Sequence, residues 1–406
     1  MRAMRILAIE TSCDETAVAL LETGGDVQTA TFDIRGNALY SQAKKHAAFG
    51  GVYPSLAKRE HAANLVPLLD GALNEAHLSI PTTQTLSEEQ KEYLEKLLER
   101  EPELYSALVR FAEANDTPKI DAIAVTQGPG LEPALWVGVN FARSLAYLWN
   151  LPIIPVNHLE GHMIASVVEA TEKEQMFAIT EVPFPVLGLI LSGGHTEFVL
   201  AESWGNYSSV GGTRDDSIGE AFDKVARLLG IPYPGGPGLS KLAQEGRDLL
   251  KTKPVHHTKG LKQLPRPMAQ SGDCDFSFSG IKTAVLYQVQ ALGDLTKEQR
   301  MLVAAEFEEA VSDVVLKKTR LALEQTNAKT FVVGGGVSAN TYIRKRLEKL
   351  FSEEYADLTL RLPDASLSTD NAVMIGMAGY FMHLRKAPTV DHSHELRASG
   401  TMKMHE

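Results

Sequence analysis

"RILAIETSCDETAVALL" at residues 5–21 and "PVLGLILSGGHTEFVLA" at residues 185–201 align without a gap at an offset of 180, which sets Ser12 on Ser192, Thr16 on Thr196 and Leu20 on Leu200. Each copy is an apolar run, a short polar turn and a second apolar run, the pattern of two buried strands joined as a hairpin. The pair predicts one hairpin in each half of a duplicated molecule. Backbone N–H groups in such turns form concave anion sites, so two turns facing a common cleft would suit phosphate. Two ordinary hairpins without a ligand are the competing reading.

Working outward, the first forty residues read as three strands, "RILAIET", "TAVALLE" and "VQTATFDI", followed by a helix from Ser55 to about Ala76. Strand "IDAIAVT", turn "GPG", a helix over 131–149 and strand "LPIIPV" then alternate, which predicts a sheet with helices on its faces. "KTFVVGGGVSANTYIRKRLEKL" (329–350) is a strand, three glycines that let a ligand approach the backbone, and a helix that Ser338 would cap. Three such turns describe the ATP cleft of a two-lobed actin-like fold (ASKHA), shared with sugar kinases and Hsp70. The fold class is therefore α/β. The expected boundaries are a first lobe over 1–156, a second over 157–371, and a returning helix with a tail over 372–406. Residues 82–119 interrupt the first lobe: Ser87 and Gln90 make a capping box, and Leu94, Leu97 and Leu98 and then Leu104, Ala107, Leu108 and Phe111 form stripes either side of Pro102. The charged faces of this helical pair predict a surface appendage, with a docking role for a partner left open.

The chain has 406 residues, enough for two cores. Two cysteines, Cys13 and Cys274, are too few for a disulfide framework and fit a reducing compartment. The start carries no signal-peptide or transit pattern and no run of about 18 apolar residues occurs, so a cytoplasmic protein without membrane contact is expected. A net charge of −11 argues against nucleic-acid binding over the whole surface. Two local basic clusters stand out, Lys44 with Lys45, and Lys251, Lys253, Lys259, Lys262 and Arg266; each alone reads as a solvated loop. His256 and His257 read as solvated too, and Cys13 as a small turn filler.

"IPVNHLEGHMIA" (154–165) places His158 and His162 four apart with Glu160 between them. On a helix the two imidazoles share one face and could grip one cation. A protease pair, ligands in another metal enzyme and no site at all are the three readings of the spacing.

With "GGTRDDSIGEAFDKVARLLGIPYPGGPGLSK" (211–241), "FSFSGIKTAV" (276–285) and "LSTDNAVMIG" (367–376), these stretches resemble the TsaD family of tRNA threonylcarbamoyltransferases, once labelled O-sialoglycoprotein endopeptidases. The resemblance runs from about residue 4 to 385 outside the insertion. It implies transfer of the threonylcarbamoyl group from threonylcarbamoyl-AMP to N6 of adenosine 37 in tRNAs reading codons that start with A. It implies a metal, Fe(2+) or Zn2+, on His158, His162 and Asp370, and adenylate contacts from Leu191, Ser192, Gly193, Gly194 and His195, with Asp223, Gly236 and Asn340. Small partner proteins of the TsaB and TsaE type, or a second copy, are implied as well. Asp14 and Glu15, from their place on the first hairpin turn, are candidates to orient or deprotonate the attacking amine. Competing roles are a surface charge for Asp223, a helix cap for Asp370 and turn support for His195. Glu132, Pro133 and Trp136 stand where relatives usually carry small or aliphatic residues, and Ser368 where many have Cys.

Two other classes compete. Zinc proteases need HExxH, with Glu beside the first His; Leu159 occupies that place. An ATP-hydrolysing sugar kinase or chaperone of the same fold usually has an Asp-Gly pair in its first hairpin, and "IETSCDET" lacks the Gly.

Overall fold

Residues 3–252, 261–386, 389–391 and 396–404 are described by the computed structural model. The first hairpin pairs β1 (Met4–Glu10) with β2 (Glu15–Gly24), from Met4 opposite Thr23 to Glu10 opposite Ala17. β3 (Thr31–Ser41) continues the meander, and α1 (Ala43–His46) and α2 (Pro54–Glu75) lead to α3 (Glu88–Leu97) and α4 (Pro102–Ala114). β4 (Ala122–Gly128) returns parallel to β1, α5 (Glu132–Trp149) covers the sheet, β5 (Ile153–Asn157) pairs parallel with β4, and α6 (His158–Ala165) follows at once. Short strand β7 (Met176–Ile179) pairs with the open edge of β3 and β6 (Val168–Ala170) pairs with β7, so the sheet order is β5-β4-β1-β2-β3-β7-β6. Residues 168–179 thus lie on the first sheet, although the sequence reading began the second lobe at 157.

The second hairpin, β8 (Val186–Leu191) with β9 (Thr196–Ser203), pairs Leu191 with Thr196. β10 (Asn206–Gly212), α7 (Ile218–Leu228), α8 (Gly235–Thr252), α9 (Ser279–Leu292), α10 (Lys297–Gln325), β11 (Thr330–Gly334), α11 (Thr341–Glu354), β12 (Thr359–Arg361) and α12 (Ala372–Leu384) complete the fold. The order β10-β9-β8-β11-β12 repeats β3-β2-β1-β4-β5, with three antiparallel strands and then two parallel ones. This order, occurring twice in one chain, is the two-lobed actin-like architecture.

Strand alternation distributes the core. Ile6 and Ala8 of β1 face inward to a core shared with Val186 and Ile190 of β8, while Leu7 and Ile9 face an outer core. α6 and α12 lie in the shared core between the sheets, and α12 is buried on all sides from Ala372 to Phe381, as a nearly charge-free helix must be. α3 and α4 form the expected pair, and Ser87 and Gln90 cap α3 reciprocally at 2.9 and 3.2 Å. They are not a surface appendage: Leu94, Leu98, Leu104 and Leu108 are fully buried in the outer core with α2 and α5. Each buried leucine contributes about 1.5–3 kcal/mol, a gain open to the two stripes only by docking on the lobe.

Candidate metal centre and substrate cleft

α6 starts where β5 ends because Asn157 caps it, accepting from the Leu159 N–H at 2.9 Å. His158 and His162 therefore project from one face, their rings edge-on with centroids 4.7 Å apart. Asp370 comes from the far end of the chain, just before α12. Asn371 caps that helix, accepting from the Met374 N–H at 2.9 Å, which leaves Asp370 free of the capping role. Asp370 Oδ1 lies 3.0 Å from His162 Nε2 and 3.4 Å from His158 Nε2, and the three ligand atoms lie within 4.8 Å of one another. Tetrahedral ligands about 2.1 Å from an ion are about 3.4 Å apart. Two imidazoles and one carboxylate at these spacings fit such an ion and leave a coordination position open. Strand β11 passes directly behind: a Cβ on Gly334 would sit 3.0 Å from His162 Cβ, so only a bare backbone lets α6 approach this closely.

The residue that orients this group was not recognised in the sequence. Glu10, fully buried at the end of β1, places Oε2 3.2 Å from His158 Nδ1, so that Nε2 is the nitrogen turned to Asp370. Glu10 also accepts from Thr126 Oγ1 and the Ser12 N–H. Its only signal is an acid closing an apolar strand, "RILAIE". Burial pushes the Glu10 carboxyl up, but His158 facing it and the Ser12 hydrogen bond pull it below the ordinary value. Burial likewise opposes charge on His158, yet Asp370 and Glu10 raise it to about 10. Burial, with the adjacent His158, holds His162 below its ordinary value. Asp370 is pulled far below the carboxylate range by the two histidines, against its burial. A bound cation would replace the proton on His158. Glu160 is engaged elsewhere, accepting from Tyr207 Oη at 2.6 Å and Arg385 at 2.5 Å, which removes it from any protease role.

This group opens on a cavity of about 700 Å³ lined by both hairpin turns: Ser12, Cys13, Asp14 and Glu15 from the first, Ser192, Gly193, Gly194 and His195 from the second. Behind the first turn, His61 Nε2 donates to the Cys13 carbonyl at 3.0 Å while Nδ1 accepts from Thr16 Oγ1 at 2.8 Å, and burial lowers the imidazole to about 4, so it stays neutral. Tyr233 donates to Asp14 Oδ2 at 3.1 Å. Burial and the adjacent Asp14 push Glu15 up to about 9. Burial also raises the Cys13 thiol well above its usual range, consistent with a filler rather than a nucleophile. In the second turn Ser192 Oγ accepts from the His195 N–H at 2.9 Å, and burial with the nearby His158 lowers His195 to about 4.

Gly236 and Asn340 lie in an adjoining cavity of about 680 Å³, which shares Gly193, Asp223 and Gly336 with the first. Asp223 Oδ1 accepts from the N–H groups of Gly235 and Gly236 at 2.7 and 3.2 Å, leaving its second oxygen available; burial raises its carboxyl. Leu191 lines neither cavity. It is fully buried with Leu187 and Leu189 in the outer core of the second lobe, because alternation turns its side chain away from the turn. Asn340, not Ser338, caps α11, accepting from Tyr342 and Ile343 at 2.9 and 3.0 Å, and its amide donates to Glu308 at 2.8 Å. Ser368 is buried and donates to the Asp364 carbonyl at 2.9 Å. Of the basic clusters, Lys45 is paired with Glu60 at 2.6 Å and Lys251 with Asp248 at 2.9 Å; Lys253, His256, His257 and Lys259 lie outside the described residues.

The family model for tRNA N6-adenosine threonylcarbamoyltransferase, TsaD, matches residues 33–85 and 104–377. The tRNA N6-adenosine threonylcarbamoyltransferase of Persephonella marina is 38% identical over 398 residues, covering 97% of this chain and 95% of that protein. The chain belongs to the TsaD family. It is an acyltransferase enzyme, and tRNA is its substrate. Among solved structures, full-length HypF in its phosphate- and nucleotide-bound form is 12% identical over 94% of this chain and 46% of that one, with a TM-score of 0.48. The activator of 2-hydroxyisocaproyl-CoA dehydratase from Clostridium difficile is 10% identical over 95% and 97% of the two chains, with a TM-score of 0.45. The TsaD match is interrupted at 86–103, a narrower break than the 82–119 insertion read from the sequence: α3 falls inside it, and nearly all of α4 outside. No described helix is long and apolar enough to cross a membrane.

Proposed function

We propose that this TsaD protein transfers the threonylcarbamoyl group from threonylcarbamoyl-AMP to N6 of adenosine 37 in tRNAs reading codons that begin with A, releasing AMP, in the cytoplasm. The observation that carries the reading is that His158 and Asp370, far apart in the sequence, open on the same cavity as both hairpin turns. An iron or zinc ion held by His158, His162 and Asp370 would act as a Lewis acid on the carbamoyl oxygen.

The protein's own groups would do the rest. The N–H groups of Gly193 and Gly194 would face the phosphate, since those of Ser192 and His195 close the turn itself, and the unused oxygen of Asp223 would accept from ribose hydroxyls. Asn340, committed to its cap and to Glu308, shapes the adenosine wall rather than binding through its amide. The donor is a mixed anhydride, so its C–O bond to AMP breaks readily as the N6–C bond forms, and positioning supplies much of the rate. The N6 proton must leave. Glu15, already protonated at neutral pH, cannot take it; Asp14, which accepts a hydrogen bond from Tyr233, would be the group to do so. Partner proteins of the TsaB and TsaE type, or a second copy, would add positive surface to a chain of net charge −11.

The test is mass spectrometry of nucleosides from tRNA incubated with the protein, threonylcarbamoyl-AMP and either metal. Threonylcarbamoyladenosine that disappears in His158→Ala supports the reading; ATP hydrolysis or peptide cleavage without tRNA modification would sink it.

A further inference from the structure

The segment that interrupts the family match builds a cavity of its own. About 970 Å³ in volume, it lies between α3 with its following turn, which supply Tyr93, Lys96 and Glu101, and α5, which supplies Glu132, Pro133 and Trp136. Its lining residues are distinct from those of the cleft, yet the two adjoin along the chain: Leu131 lines the cleft and Glu132 lines this cavity. From Glu132 to Arg143 the wall follows α5 for about 16 Å at 1.5 Å per residue.

Two groups here keep unused hydrogen-bonding capacity. Glu101 is 5% exposed; one carboxylate oxygen holds Lys58 at 2.8 Å, and the other is buried without a partner among the described residues. Arg143 Nε is buried and unpartnered in the same way. An unpaired buried polar atom costs about 1–3 kcal/mol, so a ligand that brings a donor to Glu101 and an acceptor to Arg143 relieves both. Trp136 is half-buried beside them, and Lys96 and Arg100 are exposed at the rim with no ion pair among the described residues.

We propose that this cavity is a nucleotide subsite, occupied by a nucleotide of the substrate tRNA other than the one modified. The inference rests on the tRNA-modifying reading. Unpaired RNA bases are held by stacking on aromatic side chains while their edges, each with a donor beside an acceptor, hydrogen-bond to polar groups. Trp136 supplies the stacking face, Glu101 and Arg143 the edge partners, and Lys96 and Arg100 face the phosphates. The exposed acids Glu99 and Glu132, one on each of the two walls, disfavour a densely charged nucleoside triphosphate and suit a strand with one phosphate per base. Continuity with the cleft favours a strand that already enters there.

The readout is tRNA affinity by filter binding, which does not depend on turnover, with KM values measured alongside. Trp136→Ala and the double variant Lys96→Glu/Arg100→Glu are each expected to weaken tRNA binding about tenfold. Trp136→Phe restores most of it, the double variant shows a shallower salt dependence, and kcat and the KM for the acyl donor stay unchanged. Circular dichroism verifies folding. Unaltered tRNA affinity in both folded variants overturns the proposal, as does occupation of the cavity by free AMP with tRNA affinity unaltered. Should the wild-type protein bind tRNA yet leave it unmodified, the enzymatic reading fails while the affinity comparison still decides the subsite.

Discussion

Glu10 and His158, separated by 148 residues in sequence, meet at 3.2 Å through Oε2 and Nδ1. The contact fixes which imidazole nitrogen faces Asp370, so the outer carboxylate and the candidate ligand act as a unit. Glu10→Ala is expected to lower metal affinity about 10- to 100-fold while leaving the three ligands in place, measured by competition with a chromophoric chelator. Undiminished affinity would assign Glu10 to packing alone.

Removing the far ligand should do more. Asp370→Ala is expected to abolish stoichiometric metal in the purified protein and lower modification by about 10²-fold or more. Asn371 still caps α12, so the helix content by circular dichroism should change little. A large loss of stability with metal retained would return Asp370 to a structural role.

Glu15 gives a pH signature. The folded carboxyl holds its proton up to about 9, against an ordinary value of 4.5, so the native state binds the extra proton between those limits. Stability from this group is complete below 4.5 and is lost as pH rises toward 9. Glu15→Gln, permanently neutral, should flatten that decline in melting temperature. An unchanged slope would show that Glu15 ionises at its ordinary pH.

Gly334→Ala tests the fit of α6 against β11. The added Cβ would meet His162 Cβ at 3.0 Å and its carbonyl oxygen at 3.1 Å. Pushing α6 away should cost about 1–3 kcal/mol and weaken metal binding together; urea unfolding and chelator competition measure the two.

The buried leucines of the inserted pair allow a stability test. Leu94→Ala or Leu98→Ala is expected to destabilise the protein by about 2–5 kcal/mol, whereas a true appendage would tolerate either. Calorimetry on the full chain distinguishes these.

The duplicated hairpins were legible because strand alternation and short polar turns are local patterns, and an ungapped offset makes them visible twice. The candidate metal ligands were legible for a different reason: two lay at helical spacing, and the third came with a familiar stretch, "STDNAVMIG". What escaped was the part created by tertiary packing. Glu10 looks like the end of any apolar strand until β1 is set beside β4 and the start of α6 is brought against its end. Leu191 comes with the family stretch "LSGGHT" that the resemblance ties to the adenylate, but alternation buries its side chain one residue before the turn begins. The helical pair looked solvent-facing because its charges outnumber its leucines, and the sequence holds no sign of the hollow on α2 and α5 that receives them.

α6 and α12 are wedged between the two sheets, and His158, His162 and Asp370 ride on these wedges or at their ends. A hinge motion that parts the halves would swing the two hairpin tips through the widest arc and leave the histidines and the aspartate near the pivot. On the proposed reaction, substrate would then enter and product leave through the moving rim while the candidate metal seat kept its dimensions.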